Sequence, residues 1–198
     1  MQNQERKSEH PSTHHVPMAR PPMRVIIWSV VSSVLAMIIL AELENLIALG
    51  HDAPLVIGAF GASAVLLFGA PNSPLAQPYN VFVGHVLSAI IGVAAFKAVG
   101  VSNGVSMALA VSLAIGAMQL TRSVHPPGGA SALIAVIGSE RIHDLGFQYV
   151  ASPVALGAAA LLLVAFATNN VFGKRSWPLF WFPVPLAPRR FWKRQTQE

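Results

Sequence analysis

The stretch that decides the fold is His125-Pro126-Pro127-Gly128-Gly129-Ala130-Ser131-Ala132, which opens an apolar segment ending at Gly138. A helix over 127–138 rises about 18 Å, whereas the hydrocarbon core of a bilayer is about 30 Å thick. Proline is well tolerated at a first helical position, and glycine leaves the backbone accessible. The stretch therefore predicts a half-helix whose N-terminus exposes N–H groups and carries a partial positive charge. Such an end attracts anions.

A similar motif occurs earlier in the chain. Gly61-Ala62-Ser63-Ala64 repeats Gly129-Ala130-Ser131-Ala132, and each copy lies between two longer apolar segments. The sequence therefore predicts two repeats, at about 25–100 and about 104–173, each with three hydrophobic segments. The second segment of each repeat is predicted to be a short or re-entrant half-helix, which starts at Gly61-Ala62-Ser63-Ala64 in the first repeat and at the stretch from His125 in the second. Transporters built from repeats commonly bind substrate between interrupted helices near the bilayer midplane. Tight helix packing through small residues is an alternative explanation of the motif, and the two are compatible.

Composition places the chain in a membrane. Hydrophobic residues make up 54% of it, charged residues only 11%, and the mean hydropathy is +0.56. A soluble domain of this size is far less apolar. The absence of cysteine excludes disulfides and Cys-based metal sites. We therefore predict an all-α membrane protein of six hydrophobic segments in two three-segment repeats, with no metal and no cofactor.

The net charge of +5 belongs to the two ends of the chain. Residues 1–24 hold four Lys/Arg and two Glu, and residues 174–198 hold six Lys/Arg and one Glu. Basic tails that flank membrane spans indicate cytoplasmic ends, and they do not point to nucleic acid. We expect a disordered cytoplasmic tail over 1–24, a transmembrane domain over 25–173 and a basic aromatic interfacial tail over 174–198. The expected location is the bacterial cytoplasmic (inner) membrane, with several spans and both termini cytoplasmic.

Several ionisable residues fall within or beside the apolar segments, where charge is costly and often functional. Glu42 lies near the end of the first segment, where it either relays protons or is hydrated by water at the membrane interface. His85 stands alone among apolar residues, and it either binds substrate or bonds to a neighbouring helix. Arg122 and His125 directly precede the half-helix and would balance the charge of an anion there. Arg122 could instead anchor the topology or pair with Glu42.

The segment 69–80 holds three prolines and several polar side chains, including Asn72, so it cannot be helical throughout. Non-helical backbone at membrane depth persists only where protein or water covers it. This segment therefore faces a cavity or an aqueous vestibule, unless it is an ordinary connection outside the membrane. The predicted substrate site comprises Gly61, Ser63, Asn72, His85, Arg122, His125, Gly128, Gly129 and Ser131, with His125 and Glu42 as candidate proton relays.

The chain resembles the HPP family of integral membrane proteins, named for the tripeptide at 125–127. Other stretches that carry the resemblance are 58–68, 73–78 and 84–85, and together they cover roughly residues 54–175. The family is described as having four transmembrane spans, and characterised members in cyanobacteria and chloroplasts are implicated in nitrite transport. The resemblance therefore implies movement of nitrite across a membrane.

The four-span description agrees with six apolar segments if 54–69 and 127–138 are re-entrant. Two crossings plus a re-entrant piece in each repeat would make the halves parallel, whereas three crossings would make them inverted. Both arrangements remain open, and six full crossings also keep both termini on one side. We favour the inverted arrangement, because it would bring two half-helix N-termini together from opposite sides.

The function that these observations favour is a transporter or channel for a small inorganic anion, with nitrite as the leading candidate. An intramembrane enzyme using His125 and a carboxylate is the first alternative. It is disfavoured because the sequence shows no nucleophile–base pair, no HExxH and no phosphate-binding loop, so we expect no enzyme. A structural membrane subunit without its own substrate is the second alternative. We further expect a homo-oligomer within the lipid bilayer.

Overall fold

In the computed structural model, which describes residues 20–47, 53–172 and 176–183, every regular element is a helix. Four of these helices are long and apolar enough to cross a membrane: Met23–Leu43, Pro78–Val99, Gly104–Thr121 and Val150–Val171. Two shorter apolar helices, Gly58–Gly69 and Pro126–Ile137, lie between them. The all-α membrane architecture is thus confirmed, with four candidate spans in the described part of the chain.

The α-helices are numbered in chain order. They are α1 (Met23–Ile47), α2 (Ala53–Ala64), α3 (Pro78–Val99), α4 (Gly104–Thr121), α5 (Pro126–Ile137), α6 (Glu140–Leu145) and α7 (Leu156–Ala167). π-helical turns extend α2 over Val65–Gly69 and α7 over Thr168–Phe172. The stretch Val150–Ala155, which precedes α7, is kinked at Ser152, whose φ of −139° and ψ of 121° are not helical. A single 3-10 turn, Pro74–Ala76, lies between α2 and α3.

A tight turn between α3 and α4 makes these two helices antiparallel. Gly100 ends α3 in the left-handed conformation with φ of 77°, and its N–H donates to the carbonyl of Phe96. Asn103 then caps α4, because its side chain accepts the N–H groups of Val105 and Ser106 at 2.9 and 3.0 Å. The Ser106 hydroxyl accepts the N–H of Asn103 in return, which completes a capping box.

Helices α3 and α5 pack backbone against backbone and run in the same direction. A Cβ added at Gly128 would lie 2.7 Å from the carbonyl oxygen of Gly84, and a Cβ added at Gly92 would collide with the backbone of Ala132. Gly84 therefore faces Gly128, and Gly92 faces Ala132, which makes the two helices parallel. Small residues permit this close approach of helices in a membrane.

The contacts of α2 fix the directions of α1 and α7. We call α2 together with its π-helical extension to Gly69 the α2 segment. Ser29 donates to the carbonyl of Phe68 at 2.7 Å, and a Cβ added at Gly61 would contact Met37. Helix α1 and the α2 segment are therefore antiparallel. Phe60 packs against Gly157, and Asn169 donates to the carbonyl of Leu67 at 3.1 Å. The α2 segment and α7 are therefore parallel.

One expectation about the short helices is corrected. Gly61–Ala64 do not begin a half-helix, because they form the last turn of α2, which starts at Ala53. Pro54 suits the first turn of a helix, and the apolar residues after it contain nothing that ends one. The second motif does lie in the first turns of α5. The two half-helix N-termini therefore do not meet.

The described parts of the two tails are short. Of the tail expected over 1–24, residues 1–19 lie outside the described residues, and Met23 and Arg24 belong to α1. Of the tail expected over 174–198, residues 176–183 are described. Trp177 is buried, and the N–H of Leu179 donates to Oε1 of Gln77 at 2.8 Å. This piece of chain therefore packs back onto the segment before α3.

Candidate functional site

Two histidines and two serines meet in the buried interior, and we call them the His–Ser cluster: Ser63, His85, His125 and Ser131. The Ser63 hydroxyl lies 2.7 Å from Nε2 of His85 and 2.8 Å from Nε2 of His125. Nδ1 of His85 lies 2.7 Å from the Ser131 hydroxyl. Each of the four side chains is at most 2% exposed. The cluster thus joins α2, α3, α5 and the α4–α5 connection.

The extended connection after α4 places His125. Its backbone has φ of −143° and ψ of 99°, as expected for a residue before proline. A Cβ at Gly84 would lie 2.7 Å from Cβ of His125 and 2.9 Å from the carbonyl oxygen of Ser123. Position 84 must therefore be glycine for His125 to reach the side of His85.

One carbonyl fixes the direction of every hydrogen bond in the cluster when both histidines are neutral. The carbonyl of Leu75 lies 2.8 Å from Nδ1 of His125 and can only accept, so Nδ1 carries the proton and Nε2 does not. Ser63 must then donate to His125 and accept from Nε2–H of His85. Nδ1 of His85 is left to accept from Ser131. The result is one chain of hydrogen bonds with a single polarity.

Two further residues adjoin the cluster. The Tyr149 hydroxyl donates to the carbonyl of Ser131 at 3.1 Å. Ser88 follows His85 by three residues on α3 and is fully buried, and its hydroxyl finds no hydrogen-bond partner among the described residues. The Ser88 hydroxyl faces Gly128, since a Cβ there would lie 3.0 Å from it. A buried hydroxyl without a partner is rare and calls for an explanation.

Sequence reasoning missed Ser88, Tyr149 and the Leu75 carbonyl. Helical spacing was the available signal for Ser88, because residues three apart share a face and His85 was already a candidate. No local signal marks a backbone carbonyl 50 residues from its histidine.

Three of the predicted site residues lie apart from the cluster. Arg122 is exposed and ends α4 in the left-handed conformation with φ of 59°. Asn72 is exposed in the turn after the α2 segment. Glu42 is exposed on α1 and borders an apolar groove of about 360 Å³ between α1 and α7.

The predicted glycines differ in their surroundings. Gly61 and Gly129 are half-buried, and Gly128 is buried against α3. The start of α5 offers fewer N–H groups than expected, because Pro126 and Pro127 have none and Gly128 donates to the carbonyl of His125 at 2.8 Å. Histidine and serine side chains are therefore the main polar groups at this end.

Among the described residues, no group of three or more His, Cys, Asp or Glu side chains could hold a metal ion. The cluster itself supplies two imidazoles and two hydroxyls, which is a poor ligand set for zinc. Its chemistry is hydrogen bonding and proton exchange, since each imidazole nitrogen can either donate or accept a proton.

Comparison with known proteins identifies the family. The family model described as "HPP, transmembrane region" matches residues 18–178. Two Dictyostelium discoideum proteins, each described only as a transmembrane protein, are 45% identical over 166 residues and 44% identical over 165 residues. Each alignment covers 82% of this chain but 53% and 58% of the relatives, so the chain spans little more than half their length. No solved structure matches. The chain belongs to the HPP family of transmembrane proteins.

Proposed function

We propose that this protein is a transporter for a small inorganic anion, with nitrite as the first candidate, and that the anion passes the His–Ser cluster. The observation that carries the proposal is four polar side chains, each at most 2% exposed, held together inside an apolar helix bundle. Ionisable groups inside a membrane are costly to bury and are typical of substrate pathways. A purely structural role would be served by apolar residues at lower cost.

The helix directions support six crossings. Tyr79 at the start of α3 bonds to the carbonyl of Thr121 at the end of α4. The His143 ring, beyond the end of α5, stacks on Phe96 near the end of α3 at 3.7 Å. The connection after α4 together with α5 therefore extends along most of α3. The α2 segment, which is antiparallel to α1, would cross in the same way.

With six crossings, each half of the chain crosses the membrane three times. The two halves are then inverted relative to each other, and both termini lie on the same side of the membrane. We propose that this side is the cytoplasm, because the Lys and Arg residues are concentrated in the tails. In this arrangement the His–Ser cluster lies between the two halves, with Ser63 and His85 from the first and His125 and Ser131 from the second. Substrate sites of inverted-repeat transporters lie at such boundaries.

The buried cluster represents a closed state of this transporter. Imidazole N–H groups and the Ser88 hydroxyl are the donors that would replace water around the anion, while Gly128 lets α5 approach α3 closely beside them. Gly61 and Gly129 remain proposed members of the substrate site. Exposed Arg122 would attract anions to the entrance, as surface charge does over about a Debye length. Assembly into a homo-oligomer in the bilayer and a non-enzymatic role remain part of the proposal.

The test is flux in proteoliposomes made with purified protein. Wild-type protein should carry nitrite faster than empty vesicles do, and nitrate, chloride or formate added in excess should reveal by competition which anions share the site. A flux equal to that of empty vesicles, from protein shown to be folded, would refute transport of nitrite. Competition by chloride stronger than by nitrite itself would reassign the substrate.

One observation favours the enzyme alternative. The Ser63 hydroxyl lies 2.8 Å from Nε2 of His125, as a nucleophile lies beside its base. The same oxygen also accepts from His85, however, and its side chain is fully buried. Covalent labelling of Ser63 by a fluorophosphonate, detected by mass spectrometry, would support an enzyme. We expect no label.

A further inference from the structure

We propose that the His–Ser cluster takes up one proton together with one monovalent anion, so that transport is electroneutral. The inference rests on the proposed function and adds to it the coupling ion and its ratio. Its basis is the number of protons that the four side chains can hold while all four contacts of the cluster are kept and only one ring is charged.

The neutral cluster is fully satisfied in one arrangement. Ser131 donates to Nδ1 of His85, whose Nε2–H donates to Ser63. Ser63 donates to Nε2 of His125, whose Nδ1–H donates to the carbonyl of Leu75. Each imidazole therefore carries one proton, and each nitrogen has one partner.

One added proton from water is accommodated without moving a heavy atom. If it resides on His85, both ring nitrogens donate, to Ser131 and to Ser63, and the Ser63 proton stays on its bond to His125. If it resides on His125, Nε2–H donates to Ser63, whose own proton turns to Nε2 of His85, and Nδ1–H of His85 then donates to Ser131. Both forms keep all four contacts, although in each the Ser131 hydroxyl accepts from His85 and must turn its own proton away from the ring. The two forms interconvert by shifts of protons along existing bonds.

A second added proton meets two obstacles. With both Nε2–H groups directed at Ser63, its hydroxyl must donate elsewhere, and the carbonyl of Ala59 at 3.3 Å is the acceptor within reach. The distance is long for an O–H···O bond. The two imidazolium rings would also lie with centroids 4.9 Å apart, at which like charges repel strongly in a buried site. The cluster is therefore built for one extra proton.

The single positive charge has no carboxylate to balance it among the described residues around the cluster. Its hydrogen-bond partners are the Leu75 and Ala59 carbonyls, and the titratable group next to it is the Tyr149 hydroxyl, which bonds to the Ser131 carbonyl. The described charged and other titratable side chains of the surrounding helices lie at helix ends or are exposed: Arg24, Glu42, Tyr79, Lys97, Arg122, Glu140, Arg141, His143 and Asp144.

A buried charge without a counter-charge is costly, whether it is the imidazolium or an anion. Binding the two together removes most of that cost. The Ser88 hydroxyl, buried beside Gly128 and without a partner among the described residues, can donate to the anion. Proton and anion should therefore enter the cluster as a neutral pair.

The first experiment measures nitrite and proton fluxes in proteoliposomes at neutral or mildly alkaline pH, where little nitrous acid crosses bare lipid. Valinomycin and potassium set the membrane potential, and a trapped pH dye reports protons. A pH gradient that is acid outside should drive nitrite inward, with one proton per nitrite, and the rate should not respond to the membrane potential. A rate that follows the potential would overturn the inference and leave nitrite transport standing.

The second experiment does not depend on transport. ¹⁵N NMR of histidine-labelled wild-type protein distinguishes the two neutral tautomers from imidazolium. Without nitrite, His125 should carry its proton on Nδ1 and His85 on Nε2. With saturating nitrite, one of the two should convert to imidazolium for each protein chain. If both stay neutral with nitrite bound, or if both become charged, the inference is wrong even where nitrite flux is present.

Discussion

The two copies of the small-residue motif occupy different places in their helices but reach the same side chain. Ser63 lies in the last turn of α2, and Ser131 lies in the second turn of α5. Nevertheless, both hydroxyls bond to His85, one at Nε2 and the other at Nδ1. What the two copies have in common is therefore a pair of polar contacts to one histidine, and not a pair of helix N-termini.

The residue before each motif distinguishes the copies further. In the first copy it is Phe60, which packs on Gly157, and in the second it is Gly128, which lies against the backbone of Gly84. The first copy thus fills space with an aromatic ring, whereas the second brings two backbones together. This difference explains why α3 and α5 approach so closely beside the cluster.

The largest effect on stability is expected at the close contact of the second copy. Gly128→Ala would place a methyl group 2.7 Å from the Gly84 carbonyl oxygen, where the backbone has to move. We expect a loss of about 1–3 kcal/mol in the free energy of unfolding, as for other overpacked cores. Thermal unfolding in detergent measures it. Gly129→Ala and Gly61→Ala are the matched controls, because no atom comes closer than 3.9 Å to the added methyl group, and equal losses in all three would contradict this account.

The two serines should differ in their effect on transport. Ser63→Ala removes the partner of two imidazole nitrogens, whereas Ser131→Ala removes the partner of one. An unsatisfied buried group costs about 1–3 kcal/mol, so we expect Ser63→Ala to lower nitrite flux by roughly ten- to a hundred-fold and Ser131→Ala by less. Flux per folded protein is the measurement. The reverse order would show that Ser63 is not the bridge of the cluster.

Ser88→Ala separates substrate binding from stability. Because the Ser88 hydroxyl has no described partner, its removal should leave the unfolding temperature unchanged or raise it, while the KM for nitrite rises several-fold. Ser106→Ala is the control, since that serine is equally buried but completes the cap of α4. It should lower stability by about 1 kcal/mol and leave KM unchanged. A stable Ser88→Ala protein with unaltered KM would remove Ser88 from the site.

The smallest effect is expected at Arg122, outside both copies. Its side chain is exposed, so Arg122→Gln should reduce nitrite uptake only a few-fold, and the difference from wild type should fade as ionic strength rises. Arg141→Gln, at an exposed position on α6, is the comparison. Complete loss of uptake in Arg122→Gln at all salt concentrations would place this arginine at the anion itself.

The sequence was sufficient for the all-α membrane class and the family, because hydropathy and the motif around His125 are local signals. The equivalence of Ser63 and Ser131 was visible as a repeat. The start of α2 was predicted eight residues too late, because a glycine-rich motif resembles a helix start, whereas the helix in fact begins at Ala53. The positions of the protons in the hydrogen-bond chain could not be predicted from the sequence, since they depend on the Leu75 carbonyl, which tertiary folding brings to His125.

The central claim, that the His–Ser cluster carries the substrate, is tested most directly by exchanging one histidine at a time. His85→Gln removes the ring that both serines contact, while His143→Gln alters a half-buried histidine that stacks on Phe96 outside the cluster. Initial nitrite flux into proteoliposomes, normalised to folded protein, should fall to the level of empty vesicles for His85→Gln and stay near wild type for His143→Gln. Equal fluxes in the two variants would contradict the account.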